Sequence, residues 1–350
     1  MKKILKGLAI ATLVATTVQA STEKTFLQVR PHGVNLAMES TTRRDLLLTK
    51  KEDAFGANFQ AVPFYMDSTD SSDLGRYFGI DNKNVFELSR DAATRDFNIR
   101  YMSSTLGAND LKTNIQYEPD QDAYGARIDY HQDLDKVLKG LYFKVALPIV
   151  HVDNDMHLQV TNDGNNAAEK TNVEDYFKGT YTPMAGEVVG EVLRYAKMNG
   201  SQNDTEVADI DITLGYRVVN KENAKLAIEV GFTIPTGNGA DGVWVFEPIS
   251  GNNEHWALGA GLDFWGKVWE DGDQYFRIDA VLDWRYLFES SEKRTLRLKN
   301  ETALFGGTAL GDYKYTQYRL VGQGTAGEAP TNVRPLANIS TLDVDVKLGS

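Results

Sequence analysis

Apolar and polar positions alternate with a period of two along most of this chain. Tyr124, Ala126, Ile128 and Tyr130 share one face, opposed by Gly125, Arg127, Asp129 and His131. Leu141, Phe143, Val145, Leu147 and Ile149 repeat the pattern, as do Ile210, Ile212, Leu214, Tyr216 and Val218. Leu226 to Ile234 and Trp256 to Phe264 follow in the same phase, and the longest segment runs from Phe276 to Phe288. This period is that of a β-strand with unlike surroundings on its two sides. Fainter segments occur at Ala57, Phe59, Ala61, Pro63 and Tyr65, and at Leu342, Val344, Val346 and Leu348. Residues 111–118 read as one strand with residues 121–131, with a bulge near Pro119 where the parity flips.

The segments run for roughly 10 to 15 residues, against the 5 or 6 usual for strands of soluble domains. A tilted strand crossing a bilayer needs about 9 to 11. The connections also alternate. Residues 131–140, 220–223 and 270–274 are short, whereas 151–208, 236–254 and 290–340 are long. Short turns at one end and long loops at the other are the habit of outer-membrane barrels. The pattern therefore predicts an all-β fold, an antiparallel transmembrane β-barrel of at least eight strands with short periplasmic turns and long extracellular loops. A soluble β-sandwich also alternates and is the competing fold. The long loops read as polar, with a short helix over residues 186–198; a second helix is expected over residues 35–48, before the first strand, where it would plug the lumen or lie in the periplasm.

The N-terminus adds a destination. Met1, Lys2, Lys3 and Lys6 precede an apolar stretch from Leu8 to Val18, and Val18-Gln19-Ala20 is a small-x-small cleavage site. Residues 1–20 are thus expected to be a cleaved signal peptide, 21–54 a periplasmic or plug segment, and 55–350 the barrel. The expected location is the bacterial outer membrane, reached through the barrel-assembly machinery. The chain carries 37 basic and 49 acidic residues, and loss of the signal peptide leaves 34 against 49, a formal charge of −15. That balance argues against a nucleic-acid partner. With no cysteine, disulfides, thiolate metal sites and cysteine nucleophiles are excluded.

If the apolar faces meet lipid, the other faces meet a lumen. The lumen-lining set is then Arg127, Asp129, Lys144, Asp211, Arg217, Glu229, Asp263, Lys267, Arg277, Asp279, Asp283 and Arg285. Both signs are present. They would line a water-filled channel, or pair and fill a closed barrel. Tyr130, Tyr142, Trp265, Trp269, Tyr275, Trp284, Tyr286 and Phe288 lie near strand ends, as interfacial girdles do.

Other chemistry is sparse. The histidines are His32, His131, His151, His157 and His255, with no metal-ligand spacing on a helix face. No serine is marked as a nucleophile, and the Gly-rich run Gly237 to Gly242 opens no helix. Neither a cofactor, a metal nor an enzymatic activity is expected.

From about residue 121 to 289 the pattern resembles Gram-negative outer-membrane channel proteins. Leu147-Pro148-Ile149-Val150 and Phe232-Thr233-Ile234-Pro235-Thr236-Gly237 resemble strand ends in barrels related to hydrophobic-compound transporters. The resemblance implies a porin-like channel for passive passage of small solutes. The alternative is a structural or surface-interaction barrel with a plugged lumen. The series stops at Leu348-Gly349-Ser350 without the terminal aromatic that such barrels carry. That departure favours a piece of a larger barrel, of about 10 to 14 strands, over eight strands closing with an unusual end.

Overall fold

The structure is a computed structural model that describes residues 32–33, 56–79, 82–89, 97–98, 112–162, 167–181, 192–198, 200–295, 320–323, 331–335 and 341–346. Its strands, in chain order, are β1 (Ala57–Asp67), β2 (Val85–Ser89), β3 (Phe97–Asn98), β4 (Lys112–Gln116), β5 (Asp120–Asp133), β6 (Leu141–Asp155), β7 (Gln159–Asn162) and β8 (Gln202–Val207). They continue with β9 (Ile210–Lys221), β10 (Ala224–Ile234), β11 (Ala257–Asp271), β12 (Gln274–Leu287), β13 (Ser290–Thr295), β14 (Leu320–Gln323), β15 (Thr331–Pro335) and β16 (Thr341–Val346). Two helices are described, α1 (Ser71–Phe78) and α2 (Ala167–Lys178). Among the described residues no helix is long and apolar enough to cross a membrane.

The long alternating segments form one antiparallel sheet in the order β1-β5-β6-β9-β10-β11-β12, with β8 beside the outer half of β6. β8 and β9 share β6 as a neighbour. They break at Ala208-Asp209, where the Ala208 amide still donates to the Pro148 carbonyl. Pro63 lies on β1, which among the described residues is paired only with β5; a residue without an amide proton is tolerated at such an edge. The sheet curls into a half-barrel. Its turns at one end are short, two residues at 222–223 and at 272–273, where Gly272 takes a φ of +57°.

At the other end the long connections fold together. β3-β2-β4-β7 form a small second sheet. The β5–β6 hairpin feeds it, because β4 precedes β5 and β7 follows β6. Thus residues 111–131 do not make one bulged strand. The chain breaks at Pro119, and β4 and β5 belong to different sheets. The opposite leg turns at His157, whose φ is +38°. Behind the small sheet lies an apolar core of Phe78, Phe86, Leu88, Ile115, Tyr117 and Leu158. α2 adds Val173, Tyr176 and Phe177, a helical i, i+3, i+4 face. The connection at 192–198 adds Leu193 and Met198, and the one at 235–256 adds Val245 and Phe246. The expectation of polar loops is corrected here: three connections share a dry core. Of the helix expected over 186–198 the described part, 192–198, is irregular and bridges to Trp244 through Lys197; the helix described in this connection is α2. The helix expected over 35–48 falls outside the described residues.

α1 begins at Asp70, whose carboxylate accepts from the Ser72 and Asp73 amides, and these bonds hold its pKa below the ordinary carboxylate value. The segment from Leu342 does form a strand, β16, but it pairs with β13 rather than with β12. β14 and β15 pair with each other.

Candidate functional site

The two faces of the large sheet are inverted relative to a soluble sheet. On one face the apolar side chains are exposed: Phe59, Tyr124, Ile212, Leu214, Val230, Leu262 and Leu282 among them, with Phe59 at 67% and Val230 at 55%. On the other, charged residues are buried. Arg127, Asp129, Lys144, Asp211, Arg217, Glu229 and Asp263 are each at most 9% exposed. Burial of charges on one side of a single sheet requires that side to be concave. Arg285 on β12 shows the curvature, since its Nη1 lies 3.0 Å from both carboxylate oxygens of Asp211 on β9. Three strand spacings separate them, about 14 Å in a flat sheet.

A buried ion costs several kcal/mol unless it is paired and hydrogen-bonded, and the concave face is built of such pairs. Arg127 clamps Asp129 through Nε at 3.0 Å and Nη2 at 2.8 Å. Lys144 Nζ donates to Glu229 Oε1 at 2.7 Å, and Tyr142 Oη donates to the same oxygen at 2.6 Å. Arg217 Nη2 donates to Asp133 at 2.6 Å, and His131 Nε2 lies 2.9 Å from the same carboxylate oxygen. Tyr142 belongs to this cluster. It stacks on His131, and the Arg217 guanidinium lies 4.8 Å over its ring. Tyr142 can lie flat because Gly215 is opposite; a Cβ there would fall 2.1 Å from its ring. Thr233 Oγ1 donates to Asp211 at 2.5 Å, completing the Arg285 pair.

All twelve residues of the expected lumen lining belong to the large sheet, but they are not equivalent. Arg127 pairs with Asp129, Lys144 with Glu229, Arg285 with Asp211 and Asp283, and Arg277 with Asp279. Asp279 and Asp283 are exposed, and Arg277 and Arg285 half-buried. Lys267 stands apart at the short-turn end, bound to Glu270 at 2.8 Å and lying over the Tyr275 ring. Its strand shifts register between Lys267 and Trp269. Asp133, His131 and Tyr142 complete the network but were not in that set. The alternation of Arg127 and Asp129 runs on to His131 and Asp133, and this was the available signal. Two of the aromatics assigned to girdles are elsewhere: Tyr142 and Trp265 are buried on the concave side, because their parity is that of the charged positions.

The two described residues of the N-terminal segment, His32 and Gly33, reach this face. Arg127 Nη1 donates to the Gly33 carbonyl at 3.2 Å, and His32 Nε2 lies 3.4 Å from Gln121 Oε1. A Cβ at Gly33 would fall 2.4 Å from Pro148 Cβ, so only glycine fits so close.

At the long-loop end, Asp209 ties the connection 235–256 to the sheet. Its two oxygens accept from the Gly237 amide at 3.2 Å and the Asn252 amide at 2.6 Å. Inside that connection Glu247 accepts from the amides of Asp241 and Trp244, both at 3.1 Å. Burial, and then the Asp241 carboxyl beside it, push its pKa up to about 8. His255, fully buried, spans the Phe288 carbonyl and Glu292 at 2.7 Å each. No three His, Asp or Glu side chains among the described residues are grouped to hold a metal ion. His151 instead meets Thr205, and His157 meets Asp155 at 3.5 Å.

No protein-family model matches the chain, and no curated protein is significantly similar to it.

Proposed function

We propose that this chain is an outer-membrane β-barrel channel, exported through its N-terminal signal peptide, that passes small solutes along the charged side of the sheet. One observation carries the reading: the apolar face of a seven-strand path is exposed while charged residues fill the concave face. Water would drive the opposite partition, at roughly 25 cal/mol per Å² of apolar surface left uncovered. Hydrocarbon reverses the preference. A sandwich would cover the apolar face with a second sheet about 10 Å away.

The dimensions support it. On the exposed face, aliphatic side chains such as Ile278 and Leu282 lie between Phe276 at one end of β12 and Tyr286 at the other. The ten residue steps from Phe276 to Tyr286 rise about 33 Å, or about 25 Å along the normal at the usual barrel tilt, the height of a lipid-facing band. Trp256, Tyr286 and Phe288 mark the long-loop end, and Trp269 and Phe276 the short-turn end. In lipid the reading also requires that the edges of β1 and β12 be joined or covered, since a bare edge is not tolerated there.

The test is reconstitution of the refolded protein into planar bilayers, with heat-dependent gel mobility as the check on folding. Discrete conductance is expected. Recovery of the processed chain as a detergent-free periplasmic monomer would overturn the membrane assignment.

One observation favours a second reading, a barrel with an occupied lumen. It is the seating of His32 and Gly33 against Gln121, Pro148 and Arg127. A heat-modifiable protein without conductance, which gains conductance when residues 21–54 are removed, would decide for it.

A further inference from the structure

Two of the short turns are polar, Glu222-Asn223 between β9 and β10 and Gly272-Asp273 between β11 and β12. The turn between β5 and β6 differs. It carries Val137, 72% exposed, and Leu138, 52% exposed, with Lys136 and Lys139 on either side in sequence. Hydrogen bonds fix it. The Val137 and Leu138 amides both donate to the Leu134 carbonyl, at 2.8 and 3.0 Å, and the Leu141 amide donates to the Leu138 carbonyl at 2.9 Å. The Gly140 amide donates to Asp135 Oδ1 at 2.6 Å, and the Gly140 carbonyl accepts from the Arg217 amide of β9 at 2.8 Å. Gly140 closes the turn at a φ of +91°, a conformation that favours glycine. An ordered backbone thus holds two aliphatic side chains outward, which water disfavours.

The register gives their depth. Leu141, Tyr216, Ile228, Leu262 and Leu282 are successive partners across β6, β9, β10, β11 and β12. A barrel tilt of about 40° staggers neighbouring strands by about 4 Å. Over the four steps that is about 16 Å, or about five residues, in the sense that brings the short turns to one level. Leu141 then stands level with the neighbourhood of Phe276, which marks the short-turn limit of the apolar band. Val137 and Leu138 lie just beyond it, at the boundary of acyl chains and headgroups. The exposed face continues into that boundary through Tyr130 and Tyr216. Lys139, also exposed, supplies a cation there, whereas Asp135 is engaged within the turn by the Gly140 amide. A lysine at such a boundary keeps its stem in the apolar layer and its ammonium among the phosphates.

We propose that the turn 134–140 is an interfacial anchor, with Val137 and Leu138 at the acyl boundary and Lys139 on the phosphate of an anionic phospholipid. This rests on the membrane reading above and adds a lipid class to it.

The chain has no cysteine, so Leu138→Cys, Asp273→Cys and Val230→Cys each take a single fluorescent label. The full chain, its folding checked by heat-dependent gel mobility, is refolded into vesicles of equal phosphatidylglycerol and phosphatidylcholine, with brominated acyl chains on one lipid or the other. Brominated lipid is expected to quench the label at 138 and to spare the label at 273. The local excess of phosphatidylglycerol read at 138 is expected to be about fivefold, the effect of one lysine near an anionic surface, and Lys139→Gln brings it toward one. A label at 138 as unquenched as that at 273, two lipids read equally, or an excess unmoved by Lys139→Gln overturns the anchor, while quenching at 230 keeps the membrane reading standing. A label at 230 that stays unquenched overturns the membrane reading, and the anchor with it.

Discussion

Val230 and Val173 are the same residue in regular structure, yet the first is 55% exposed and the second fully buried. Val230 belongs to the large sheet, where apolar side chains point away from the protein and charges point in. Val173 belongs to α2 at the long-loop end, where apolar side chains meet in a core of Phe78, Tyr176, Phe177 and Phe246. The two regions share one chain and one hairpin, since β5 and β6 continue into β4 and β7. The reversal of polarity at Pro119 and His157 therefore falls within one continuous hairpin. On the proposed reading the outer medium is apolar below it and water above it. The difference teaches that an apolar face repeated along an element, every second residue in β10 and at i, i+3, i+4 in α2, does not by itself say whether that face is buried. It depends on which medium each face meets.

The comparison can be broken or sharpened by substitution. The largest effect is expected in the aqueous region. Phe177→Ala removes a fully buried ring and should cost about 3 to 5 kcal/mol locally. Hydrogen exchange should show α2 losing protection while heat-dependent mobility of the sheet persists. Loss of both together would mean that the two regions are one cooperative unit.

Next is Val230→Arg on the exposed face of β10. A cation placed against lipid should cost about 2 to 4 kcal/mol near the midplane, read from urea-dependent refolding into vesicles. Val230→Ala should cost far less. An arginine tolerated without cost would place this face in water and end the contrast.

A third test uses pH. Glu247 has a folded-state pKa of about 8 against an ordinary value of 4.5. Because the value is raised, its stabilisation is fully present below pH 4.5 and is lost as pH climbs to about 8. The connection 235–256 should exchange its amides faster across that range, and Glu247→Gln should flatten the dependence. Acceleration toward acid instead would contradict the assignment. The smallest effect belongs to Asp70→Ala, which removes the cap of α1. Faster exchange confined to the first turn of α1 is expected, with the sheet unaffected.

Much of the large sheet was legible beforehand, because a strand's side chains must alternate and the alternation here is long and clean. The pairings β9–β10 and β11–β12 follow from short turns, and the charged parity of Arg127, Lys144 and Glu229 follows from the same period. What was not legible was contact between strands that are not neighbours. Nothing in the local pattern pairs Lys144 with Glu229, or Arg285 with Asp211. Those meetings depend on curvature, which sums small twists over several strands. The long-loop region was missed for a related reason. Phe78, Leu88, Tyr117 and Phe246 are far apart in sequence and their segments are short, so no single window displays an apolar face. Tyr142 and Trp265 were misplaced because an aromatic near a strand end was read by type rather than by parity.

The sequence by itself determined the long strands of the large sheet, their two unlike faces and the alternation of short and long connections. Each of these is written in the spacing of residues along one backbone. The tertiary structure decided which charges neutralise each other and how three distant connections close over a common core. These are properties of the space between segments, set by how far the sheet bends, and no single segment carries that distance.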